Sequence, residues 1–228
     1  MTSTILATSD TVEHANNAIR DLTEAGYNRS DIGLALHDPE NRYSPYLEEA
    51  VTGSEGAGFG AIIGSLFGAV VGLAAITVPG VGPIIAAGPL GAAIGALAGA
   101  GIGAAGGAVT GGITASLVKL GIDEEDAHYY AESLRQGAAL VSVTAHEVDA
   151  DRALRILRSH NPIDIDKRVA QWRARGWDQY DPMVDPFTAE QRAEMERERE
   201  FDDEPLTPNE EYEQYEQYED TARKYPRY

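Results

Sequence analysis

A run of 63 residues without a single charge, from Gly56 to Val118, limits what this chain can fold into more than any other feature. Glu55 and Lys119 close it, and it is longer than two bilayer crossings of ~20 residues require. Inside it, Gly56, Gly60, Gly64, Gly68 and Gly72 recur every fourth residue, and Gly91, Gly95, Gly99, Gly103, Gly107 and Gly111 repeat the spacing. Pro79, Gly80, Gly82, Pro83 and Pro89 interrupt the two series. The spacing predicts two helices, each with a smooth glycine stripe, folded into a hairpin over residues 53–121. Glycine costs a helix about 1 kcal/mol per position relative to alanine. Close contact between backbones is the natural compensation, and small residues every four positions permit it. The eleven glycines are therefore the expected interface between helices, either in a membrane or in an oligomer. Ile62, Ile63, Leu66, Phe67, Val70 and Val71 give the first arm enough apolar bulk to face lipid or a shared core. The second arm, mostly glycine and alanine, depends on its partner arm and on neighbouring copies.

The flanks read as two halves of one small domain, residues 1–52 and 122–167. Ser3 to Thr8 is β-like, Val12, Ala15, Ile19 and Leu22 follow at helical spacing up to Gly26, and Ile32 to Leu36 reads as a second strand. Beyond the block, Asp123 with Glu124, Glu125 and Asp126 opens a helix reaching about Gln136, because acids suit a helix N-terminus. Ala138 to Thr144 is a third strand, Val148 to about His160 a helix, and Ile163 to Ile165 a fourth strand. That order predicts an α+β fold: a ferredoxin-like split βαβ sandwich interrupted by the glycine-zipper hairpin. Because both halves must meet in one sheet, the hairpin leaves and returns on the same side. Residues 168–228 are expected to form a mostly disordered acidic tail. From Lys167 onward, 17 acidic residues face 10 basic ones, with prolines throughout.

Net charge −19 argues against nucleic acid as a partner, since such binding rests on Lys and Arg at phosphates. The chain has no cysteine, which removes disulfides and thiolate metal sites. Gly101 to Gly106 matches a dinucleotide fingerprint, but within a helical zipper instead of after a strand. His146 and Glu147 open like a zinc-protease pair, yet Ala150 stands where the second histidine is required. The remaining histidines are dispersed. No catalytic residue, metal site or cofactor is expected, and the chain reads as non-enzymatic. His128, Tyr129 and Tyr130, at the exit of the hairpin, suit a membrane surface, a contact between copies, or plain helix packing.

Ile5-Leu6-Ala7 with Val12 to Gly26, the turn Val78-Pro79-Gly80-Val81-Gly82-Pro83, Leu120 to Tyr130 and the strand from Gly137 to Thr144 together carry a likeness. Over residues 3–167 the chain resembles bacterial general stress proteins of the YflT-like kind, some of which are called heat-induced or low-temperature-induced. The resemblance implies a stress-associated bacterial setting and adds no catalytic residue. The expected function is thus self-assembly through the glycine zippers. One form is inserted in the bacterial inner membrane, with the α/β domain and tail cytoplasmic. The alternatives are a soluble assembly that buries its hairpins in a shared core, and a membrane-anchored ligand-sensing module. The expected partners are other copies of the chain and a lipid bilayer.

Overall fold

The structure, a computed structural model, describes residues 2–40, 73–101, 112–188, 190–192, 194, 195, 197 and 221–227. Strand β1 spans Thr2–Ser9 and helix α1 Val12–Glu24. The hydroxyl of Thr11 caps α1 by accepting the His14 N–H, and Gly26, at φ +94°, lets the chain turn back. A short 3-10 turn, Arg29–Asp31, leads into β2, Ile32–His37. Strands β3, Ala74–Val78, and β4, Gly82–Ala87, form a hairpin. They are followed by helices α2, Gly88–Gly101, α3, Gly112–Lys119, and α4, Glu124–Arg135. Then come β5, Ala139–His146, α5, Glu147–Arg158, α6, Ile165–Ala174, and finally β6, Ala222–Arg227.

These strands make one sheet in the order β3-β4-β2-β5-β1-β6, with every neighbouring pair antiparallel. Period-two alternation gives the sheet two apolar faces. On the first, Ile5, Leu34, Val141 and Val143 meet Ile19 and Leu22 of α1 and Leu157 of α5. On the second, Leu6, Ala35, Ile84 and Leu140 meet Leu90 and Ile94 of α2, Leu117 of α3, Tyr130 and Leu134 of α4, and Trp172 of α6. The sheet is covered on both faces, and its central strands are apolar on both sides, as such burial demands.

Three sequence expectations differ from this fold. Residues 74–87, expected to end one helix and begin another, form strands β3 and β4. The Val81 N–H donates to the Val78 carbonyl across Pro79 and Gly80, and Gly80 sits at φ +76°. Proline followed by a positive-φ glycine is the pattern of a type II turn, so Val-Pro-Gly-Val reverses a strand here. The expected fourth strand at Ile163–Ile165 is absent; Ile165 opens α6, capped by the Asp164 carboxylate accepting the Lys167 N–H at 2.9 Å. The edge position beside β1 belongs to β6, from the segment expected to be a disordered tail. That segment also supplies Val169, Trp172 and Tyr180 to the second core. Ile165, Val169 and Trp172 stand at i, i+4 and i+7, an apolar helical stripe that the surrounding acids and prolines obscure.

No helix among the described residues is long and apolar enough to cross a membrane. Where it is described, the charge-free run is folded against the sheet of its own chain.

Candidate functional site

One edge of the sheet is built from the charge-free run. Strand β3, Ala-Ala-Ile-Thr-Val, pairs with β4 on one side only among the described residues. Ala74, Ala75 and Thr77 are exposed, while Ile76 packs towards the second core. Beside it Ala92 and Ala96 of α2 are exposed as well, as is Pro79 in the turn. The result is a surface of small uncharged groups around an unpaired strand edge. Met183, 87% exposed, follows the same turn, because a Cβ at Gly80 would lie 2.8 Å from Pro182 Cα.

Of the expected glycine interface, Gly91, Gly95 and Gly99 lie in α2. Gly91 is buried against its own chain: a Cβ there would lie 2.8 Å from the Ala86 carbonyl carbon. At Gly95 a Cβ would make an ordinary 3.5 Å contact with Ile76. Gly56, Gly60, Gly64, Gly68, Gly72, Gly103, Gly107 and Gly111 lie outside the described residues, as do Ile62, Ile63, Leu66, Phe67, Val70 and Val71.

The opposite edge is polar. A cleft of about 1150 Å³ lies along β6, lined by Lys119, Asp123, Asp126, Arg158, Asp166, Arg223 and Tyr225 among others. Arg223 pairs with Asp126 in the first turn of α4 and, at 2.5 Å, with Asp166 in the first turn of α6. Burial would lower Arg223, but hydrogen bonds to Asp166 and Asp126 more than offset it and hold the guanidinium above its ordinary value. The Tyr225 hydroxyl donates to Asp126 at 2.6 Å and lies 3.0 Å from the Tyr130 hydroxyl. Burial raises both phenols well above the usual tyrosine range. On the other face of the strand, Lys224 reaches Glu147 at 2.8 Å and Asp151 at 3.5 Å. The acids of Asp123 to Asp126, read from sequence as helix-end charges, thus include one that fixes the C-terminal strand.

Tyr129 and Tyr130 are both buried, which places this pair in helix packing. Tyr129 stacks near Trp177, with centroids 6.0 Å apart, and accepts from Arg173 at 2.8 Å. Further along α4, Glu132 is 1% exposed and holds Arg135 by two bonds, at 2.8 and 2.9 Å. Residues 177–188 strap this pair and the β3–β4 turn. Tyr180 donates to the Pro79 carbonyl at 2.5 Å, and Phe187 lies 4.2 Å beneath the Arg135 guanidinium. Under the same strap lies His37, 6% exposed, with its Nε2 3.5 Å from where a Gly82 Cβ would stand and Pro186 beside it. Among the described residues neither ring nitrogen meets hydrogen-bond geometry, although the Val81 backbone is close. Burial first, then Arg192, depresses His37 to about 4.

No group of three or more His, Asp or Glu able to hold a metal ion occurs among the described residues. His146, at the N-terminus of α5, and His160, 2.9 Å from Asp21, lie apart from the cleft. Arg223 and Lys224 of β6 are paired with acids of α4, α5 and α6, a geometry suited to holding a strand. Comparison of the chain with protein-family models, curated proteins and solved structures finds no match.

Proposed function

We propose that the protein is a non-enzymatic, stress-associated protein whose copies assemble through the charge-free part of the chain. The observation that carries this reading is β3, the edge strand among the described residues, with neither charge nor proline and flanked by exposed Ala92 and Ala96. Soluble proteins guard such edges with lysine, proline or a covering segment, because unpaired N–H and C=O groups template pairing with another chain. Antiparallel pairing of β3 with β3 of a second copy joins two sheets and brings the uncharged helices together.

We further read the core as ferredoxin-like. Support comes from the order β6-β1-β5-β2, from α1 joining the parallel strands β1 and β2, and from α5 following β5. On this reading β3 and β4 are additions at one edge, and they carry the assembly surface.

The test is Ala75→Lys with Thr77→Lys, two exposed positions that leave Ile76 in place. Light scattering on the purified chain is expected to show an oligomer that the double variant reduces to monomer with unchanged circular dichroism. An oligomer that survives both lysines rejects the β3 edge as the contact. Fractionation of the producing bacterium separates the two settings. A detergent-free soluble particle places the assembly in the cytoplasm. Sedimentation with the inner membrane, resistant to carbonate, places Ile62, Ile63, Leu66, Phe67, Val70 and Val71 against lipid.

A further inference from the structure

Strand β6 is held less like a covalent continuation of the sheet than like a bound peptide. It adds to the edge of β1 in a six-residue antiparallel register, Thr2 opposite Arg227 through Ala7 opposite Ala222. Each side chain from 222 to 225 is received separately, and the receptors alternate between the two faces. Ala222 is buried in the first core and Tyr225 in the second. Arg223 is read by Asp126 and Asp166, and Lys224 by Glu147 and Asp151. Tyr225 meets Tyr130 edge-on, with centroids 6.4 Å apart, and donates to Asp126. Main-chain pairing for affinity and alternate side-chain receptors for selectivity are the parts of a strand-addition peptide site.

The receptor acids stand in the first two turns of three different helices, α4, α5 and α6, which converge on this edge. In a chain of net charge −19, the basic pair Arg223-Lys224 is the complement that such an acidic edge selects. The 23 residues between Arg197 and Thr221 allow a reach of up to ~75 Å when extended, ample for a neighbouring molecule. A chain that seats its own segment can seat the identical segment of a second copy with the same contacts, which is the condition for strand exchange.

We propose that the β1 edge, with Asp126, Asp166, Glu147, Asp151 and Tyr130, is a recognition groove for the extended segment Ala-Arg-Lys-Tyr, and that the C-terminal segment of a second copy occupies it by exchange with the chain's own β6. This link uses the edge opposite β3. It shares with the assembly reading only the need for a second copy, and every measurement is made on full chains carrying Ala75→Lys and Thr77→Lys, so that failure of one does not mimic failure of the other.

The acceptor is the full chain with Arg223→Glu and Lys224→Glu, whose own strand is repelled by the four acids. The probe is a fluorescent peptide of residues 221–228. Saturable binding to the acceptor is expected, about tenfold or more tighter than to the chain with its native segment, which competes. A peptide with the same two reversals is expected to bind about tenfold or more weakly, and salt to weaken the native peptide. The acceptor is then mixed with a donor chain carrying Asp126→Asn and Asp166→Asn and an intact segment, and a one-to-one complex is expected by light scattering. Absence of peptide binding by a folded acceptor, equal binding of the reversed peptide, or an acceptor that binds peptide but not the donor chain each overturns the proposal. If the acceptor does not fold, capture of the native peptide by the chain with its own intact β6 decides the question: slow exchange supports the proposal and none overturns it.

Discussion

At the scale of single residues, His37 shows how strongly a position can override a residue's ordinary chemistry. An exposed histidine titrates near 6.5, whereas this one, buried under the strap of residues 177–188, is pushed to about 4 by burial and by Arg192. Asp38, its neighbour, acts in the opposite direction without restoring it. The folded chain therefore keeps the ring neutral through a pH range in which the unfolded chain binds a proton. Stability is fully present above about pH 6.5 and is lost as pH falls towards about 4. The difference reaches roughly 3 kcal/mol once pH has fallen to about 4, where the folded ring is protonated too. Urea unfolding of the native chain and of His37→Gln is expected to diverge by this much between these pH values. Parallel pH profiles would show that His37 is not held neutral by the fold.

At the scale of elements, the four-residue glycine rule divides in two within α2. Gly91 stands against the backbone of Ala86, 2.8 Å from where its Cβ would be, so a methyl group there forces helix and strand apart. Gly95 has room for one, at 3.5 Å from Ile76. Overpacking at the first site is expected to cost about 1–3 kcal/mol, while the second gains up to about 1 kcal/mol of helix propensity. Thermal unfolding of Gly91→Ala and Gly95→Ala should therefore shift in opposite directions. Equal destabilisation would instead mark both as parts of one zipper. Gly33 marks the same close approach from β2: a Cβ would collide with Ser142 Oγ and lie 2.8 Å from Leu90 Cβ. Gly33 and Gly91 thus seat α2 on its own sheet.

At the scale of the whole molecule, protection should follow strand order. Strands β1 and β5 are paired on both sides and covered on both faces, while β3 and β6 are the outer strands among the described residues. In dilute solution, hydrogen exchange measured peptide by peptide is expected to be slowest at Leu6 and Leu140 and at least about 100-fold faster at Ala75. If assembly runs through β3, protection of Ala75 rises with protein concentration while that of Leu6 stays constant. Protection of β3 that is high and independent of concentration would mean that its edge is covered within one chain.

The sequence by itself determined the elements whose signal is local. Residues β1, α1, β2, α4, β5 and α5 are each marked by periodicity and end signals, and they appear within a few residues of expectation. The charge-free run was equally legible as something that must be buried. What buries it was not, because glycine and alanine suit a membrane, an oligomer or a sheet, and spacing alone does not name the partner surface. The type II turn at Pro79-Gly80 was present in the letters, but the four-residue register outweighed it. The place of β6 was not local at all: Arg223 and Lys224 gain meaning from Asp126, Glu147, Asp151 and Asp166. Those partners stand 57 to 97 residues away. Only the tertiary structure brings three helix ends to one sheet edge, and so only it turns a basic tetrapeptide in an acidic tail into the sixth strand.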